Sequence, residues 1–127
     1  MKCKLHEYTI QMKEITRCFD NIPENIVFYV GENAVDNFTV TDTGEPHDLW
    51  FHAKDQPSCH VLAHIPEYLD KRCLKTIIKQ GALLCKQNTH KLANVTDVEI
   101  MYAQIQHVSK TNKPGCVNVI GSKTIKC

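Results

Sequence analysis

The chain has 127 residues, 15 Lys+Arg against 14 Asp+Glu and 43% apolar residues, which is the size and make-up of one globular domain with one modest core. No window approaches the roughly 18 consecutive apolar residues of a membrane span, and the start lacks the apolar stretch of a secretory signal, so a cytoplasmic protein with no membrane partner is expected. The net charge of +1 hides an asymmetry: residues 1–70 carry 5 basic and 12 acidic side chains, and residues 71–127 carry 10 basic and 2 acidic.

Residues 1–24 read as a peripheral segment preceding a domain over 25–127. Tyr8, Ile10 and Met12 alternate like a strand, Ile15, Phe19 and Ile22 follow a helical spacing, and Pro23 closes the segment. Asn25–Val30 and Phe38–Thr41 read as short strands, ended by Gly31 and by Asp42-Thr-Gly44, with 33–37 a helical turn or a loop between them.

Asp48–Ala53 places Leu49, Phe51 and Ala53 on one strand face and Asp48, Trp50 and His52 on the other. Ser58–Ile65 opposes Cys59, Val61, Ala63 and Ile65 to His60, Leu62 and His64, and the turn at 54–57 makes the two segments a hairpin. Pairing brings Trp50 or His52 close to His60, with one face aliphatic and the other carrying an indole and imidazoles.

From about Tyr68 to Asn88, Leu74, Ile77, Ile78, Gly81, Ala82 and Cys85 recur at the spacing of an apolar helical stripe. Arg72, Lys75, Lys79 and Lys86 form a basic ridge on its flank, with no acidic residue from 71 to 96 to make the usual i, i+4 pairs. Thr96–Val108 is strand-like and apolar on both faces, Lys110–Gly115 is a basic turn, and Val117–Val119 and Thr124–Lys126 are short strands. The fold class is therefore α+β, a largely antiparallel sheet covered by one long amphipathic helix. The seven cysteines, at 3, 18, 59, 73, 85, 116 and 127, contain no CxxC pair and read as reduced thiols, mostly small core residues.

Zinc binding by His52, His60 and His64 is disfavoured because strand residues four apart are about 13 Å apart. Adjacent Cys59 and His60 point to opposite strand faces and cannot act as nucleophile and base. The five glycines are isolated, so no phosphate loop exists. Two histidines on neighbouring strands retain one enzymatic option, acid–base cleavage of a phosphodiester.

Val30–Asn37, Asp48–His52, Pro57–Val61 and Val108–Gly115 resemble, in order and spacing, the NFACT-R domain, the RNA-binding module of the NFACT ribosome-quality-control proteins, in its standalone form. The likeness runs from about Asn25 to Cys127. It implies an RNA-binding function linked to translation, with tRNA or ribosomal RNA, and the ribosome, as partners. Asp48, Trp50, His52, His60, Lys110, Pro114 and Gly115 agree with the family pattern. Ser58 departs from it, standing where the family carries a glycine, and would be strained if that turn needs positive φ.

The expected RNA-binding residues are Asp48, Trp50, His52, His60, Arg72, Lys75, Lys79, Lys86, Lys110 and Lys113. Lysines contact phosphates, Trp50 or Tyr102 stacks a base, and the imidazoles donate to phosphate or a 2′-hydroxyl. No catalytic residue, metal or cofactor is expected. The alternatives are a histidine-dependent RNA phosphodiesterase and an interaction module that grips an acidic protein through the basic half.

Overall fold

The computed structural model describes residues 12–127, leaving Cys3, Tyr8 and Ile10 outside the described residues. A hairpin begins it: β1 (Lys13–Phe19) runs antiparallel to β2 (Ile22–Gly31), from Lys13 opposite Val30 to Phe19 opposite Ile22. The helical spacing of Ile15, Phe19 and Ile22 is thus realised as two strands. Pro23 sits second in β2, where a missing N–H is tolerated near a strand's start.

The segment 38–41, expected as a strand, lies inside a helix, α1 (Ala34–Thr43). Its Val, Thr and Phe content favours strands only weakly, and propensity of that kind yields to local hydrogen bonding and packing. Asn33 caps the helix, its side-chain oxygen accepting the Asp36 N–H at 2.9 Å. Thr39, Thr41 and Thr43 turn their hydroxyls onto the carbonyls of Val35, Asn37 and Thr39, so each is satisfied within the helix by bonding back four residues.

The central hairpin forms as expected, from β3 (Leu49–Ala53) and β4 (His60–Ala63), with Trp50 opposite Leu62 and Phe51 opposite Val61. The long helix, α2, spans Lys71–Gln87. Tyr68, expected at its start, precedes the cap in a left-handed conformation with φ 60°, and Asp70 accepts the Cys73 N–H at 2.9 Å. The strand-like stretch 96–108 is broken into β5 (Glu99–Gln104), a 3-10 turn at Ile105–His107 and β6 (Val108–Lys110). After it come β7 (Val117–Val119) and β8 (Lys123–Lys126).

The main sheet has six strands in the order β1-β2-β4-β3-β5-β8, and β6 pairs with β7 in a separate ribbon. All pairings are antiparallel. The class is α+β, but with two helices instead of a single covering helix. One sheet face buries Phe28, Leu49, Phe51, Val61 and Ile100 with Ile77, Leu84 and Cys85 of α2. The other buries Trp50 and Leu62 with Val40 of α1, Ile105 and Val108. The hairpin's indole-bearing face is therefore a second core, completed by elements distant in sequence. Of the described cysteines, Cys59, Cys73 and Cys85 are buried, Cys18 and Cys116 are exposed, and none is bridged.

Gly81 sets how closely α2 approaches the sheet. A Cβ there would stand 2.3 Å from the Phe51 ring, so Gly81→Ala is expected to destabilise the domain by about 1–3 kcal/mol through overpacking. That outweighs the helix-propensity gain of up to about 1 kcal/mol. Urea unfolding checks the sign, since a stabilised variant would contradict the close approach.

Candidate nucleic-acid interface

Asp48 precedes β3 and is 1% exposed. One carboxylate oxygen accepts the Ile65 N–H at 2.9 Å, and the other accepts the Glu45 N–H at 2.9 Å and faces His64 Nδ1 at 3.2 Å. With its oxygens turned inward to tie the ends of the hairpin together, Asp48 is not positioned as an RNA contact.

Trp50 is likewise corrected as a base-stacking surface. Its strand lies inside the sheet and the indole is fully buried. One face lies parallel to the His52 ring at 5.7 Å between centroids, and His60 meets it edge-on at 5.4 Å. Tyr102 packs near Phe51 on the α2 side of the sheet, so it cannot share a stacking site with Trp50.

The hydrogen bonds determine the tautomers of both imidazoles. The indole Nε1–H can only donate, and it meets His60 Nδ1 at 3.2 Å. The neutral His60 ring therefore carries its proton on Nε2. His52 Nδ1 lies 2.6 Å from the Ala53 carbonyl, which only accepts, so His52 is protonated at Nδ1 and keeps a bare Nε2. Burial lowers the pKa of both rings, and for His60 burial together with the neighbouring His52 brings it to about 3. Both rings are neutral near pH 7 and add no positive charge.

These rings border a cavity of about 390 Å³. Trp50 and His60 line it while remaining almost wholly buried. Asn37 of α1 accepts the His60 backbone N–H on its Oδ1 at 3.3 Å, and Met101, opposite His52 across β3 and β5, lines another side. Pro57 and Ser58 contribute from the β3–β4 turn, and Pro114 and Gly115 from the β6–β7 loop. Gly115 has φ +78° with Ala34 3.0 Å from where its Cβ would be, a position that only glycine fits without strain.

All four sequence segments that carry the family likeness thus converge on one cavity. The sequence alone does not single out Asn37 and Met101 because each needs a contact across elements: Asn37 lies at the end of the 30–37 segment, and Met101 shares the indole face with His52. Ser58, by contrast, is not among the positive-φ residues, so the expected strain is absent. Its hydroxyl accepts the Ala53 N–H and donates to the Cys59 carbonyl, both at 2.9 Å.

The basic residues do not form one patch. Arg72, Lys75 and Lys79 are exposed on α2, on one face of the sheet. Lys110 belongs to the ribbon packed with α1 on the other face, where it pairs with Asp42 at 2.5 Å and lies 5.1 Å from the Phe38 ring centre. Lys113 stands in the same ribbon's turn, beside Pro114. The two lysine groups occupy opposite layers because β6 leaves the main sheet after the turn at 105–107. The ridge nevertheless leads to the cavity's end of the sheet: Cys59 Sγ donates to the Cys85 carbonyl at 3.2 Å, and the Cys59 N–H donates to Thr89 Oγ1 at 3.1 Å. Lys86 follows Cys85 there. Among the described residues none of the ridge cations has an acidic partner.

Fold and site together define a small two-layered-core α+β domain with a neutral, imidazole-floored cavity at one end of its sheet. The family model for the NFACT protein RNA binding domain matches residues 16–126, and the chain belongs to that family. It is 32% identical over 102 residues to the Rqc2 homolog RqcH of Streptococcus pneumoniae, covering 79% of this chain and 18% of that protein. A coiled-coil domain-containing protein 25 homolog of Dictyostelium discoideum is 29% identical over 100 residues, covering 73% of this chain and 46% of that one. The solved C-terminal part of the fibronectin/fibrinogen-binding protein from Streptococcus suis matches with a TM-score of 0.69 and 26% identity, covering 80% of this chain and 40% of that chain. The chain spans less than half the length of each of these relatives. Among the described residues no helix is long and apolar enough to cross a membrane.

Proposed function

We propose that this chain is a non-enzymatic, cytoplasmic RNA-binding module serving translation-linked quality control, with tRNA or ribosomal RNA as its ligand and the ribosome as its wider partner. The observation that carries this reading is the convergence of the four family segments on one cavity, at the end of the sheet to which the α2 cations lead, none of them ion-paired among the described residues. Arg72, Lys75, Lys79 and Lys86 supply phosphate contacts, and the cavity supplies recognition. The pKa of His60, lowered to about 3 by burial and the neighbouring His52, supports a non-catalytic reading, because an acid–base group works best with a pKa near the operating pH.

The test is RNA binding against salt for tRNA and a single-stranded RNA. Lys75→Glu/Lys79→Glu is expected to weaken both and to reduce the log–log salt slope by about 1.4, at roughly 0.7 per single-strand phosphate contact. The RNA is expected to stay intact on long incubation. Absence of RNA affinity at low salt, or cleavage abolished by His52→Ala, would overturn the reading.

A further inference from the structure

We propose that the cavity is a socket for one unstacked nucleobase, whose polar edge is read by the His60 Nε2–H as donor and the bare His52 Nε2 as acceptor. This rests on the RNA-binding reading and specifies what the cavity takes. His60 is 1% exposed, its Nδ1 is occupied by the indole, and its Nε2 has no partner among the described residues. Among the described residues no buried side-chain nitrogen or oxygen is left both sealed and unpaired, which is consistent with Nε2 opening onto the cavity that His60 lines. The two imidazoles meet edge to face with centroids 4.9 Å apart, placing a donor and an acceptor within one small space.

Several features select a base over a phosphate or an ion. None of the described residues lining the cavity carries a formal charge, and both rings are neutral near pH 7, so an isolated anion would enter without compensation from them. Every nucleobase presents an adjacent donor and acceptor, the complement of the two imidazole nitrogens. Met101, Pro57, Pro114 and Val117 supply apolar walls for its faces. The volume of about 390 Å³ falls at the lower end of the roughly 300–1,000 Å³ of small-ligand sites. A single-stranded loop or end can present such a base, whereas a duplex keeps its bases stacked. The arrangement therefore divides the labour: α2 senses the backbone and the cavity senses strandedness.

The full chain is titrated with three RNAs: a mixed-sequence single-stranded decamer, the same backbone with all bases replaced by abasic spacers, and a blunt duplex. Two variants are compared with the wild type. His52→Phe retains a ring against Trp50 but lacks the acceptor, and Met101→Trp fills the cavity, with circular dichroism confirming that each is folded. The wild type is expected to bind the decamer about 5- to 100-fold more tightly than the abasic backbone, the range for one base edge read by a pair of hydrogen bonds. Both variants are expected to lose most of that difference while binding the duplex like the wild type. Folded variants that keep the full preference for the decamer over the abasic backbone overturn the socket while leaving RNA binding standing. Equal wild-type affinity for decamer and abasic backbone does the same, and no affinity for any RNA overturns both readings.

Discussion

Trp50→Ala is expected to lower the unfolding free energy by about 3–5 kcal/mol, the cost of removing a large aromatic side chain from a packed core. The indole is fully buried and is the largest side chain in the core on the α1 side. Its removal leaves a void between α1 and the sheet and orphans His60 Nδ1. Trp50→Phe separates the two effects: most of the volume returns, and the residual loss of about 1–3 kcal/mol reports the unpaired buried acceptor. Urea denaturation measures both. Because Trp50 is the chain's sole tryptophan, its fluorescence adds a direct check, with blue-shifted emission that resists acrylamide quenching equally with and without RNA. A red-shifted emission, or a loss below about 1 kcal/mol, would put the indole at the surface.

Stability is expected to decline as pH falls below about 6.5, the ordinary histidine value. His60 titrates at about 3 in the folded protein, so between these values the unfolded chain binds a proton that the folded chain refuses. The unfolded state is then favoured by up to about 1.4 kcal/mol per pH unit. Above 6.5 the contribution of His60 is complete and pH-independent. Protonation of the folded ring is opposed by burial and by His52, and a proton on Nδ1 would also break the hydrogen bond from Trp50. His52, lowered in the same direction by burial, adds to the same limb. Urea midpoints between pH 7 and 4 for the wild type and His60→Gln test this: the variant should have the shallower acid limb, and parallel limbs would contradict a neutral, buried His60.

Both expectations make the aromatic trio of Trp50, His52 and His60 an element of architecture first. The burial of Trp50 and His60, with His52 half-buried, is compatible with recognition because all three border the cavity and the proposed socket uses only the imidazole edges. The cost of withdrawing His60 fully and His52 partly from water is offset by stacking, by the indole hydrogen bond and by the Ala53 carbonyl.

The local sequence was sufficient for the period-2 faces of β3 and β4, the hairpin they form and the apolar stripe of α2, since these follow from the backbone's own geometry. It also predicted that Trp50 or His52 would meet His60, because antiparallel pairing across a short turn leaves few registers. It did not reveal that 34–43 is one helix, where an Asn33 cap and packing of Val40 overrule strand-favouring residues. Nor did it show that Trp50 is enclosed, which requires α1 and the ribbon from 108–119 to cover a face that the hairpin alone leaves open. The ten expected site residues divide on the same principle. Alternation placed His52 and His60 together, whereas joining Lys110 and Lys113 to the α2 ridge assumed a shared face. Residue type and spacing determined the hairpin, the long helix and the family. Only the folded chain decided which surfaces were buried, because burial depends on what packs across a face from far along the sequence.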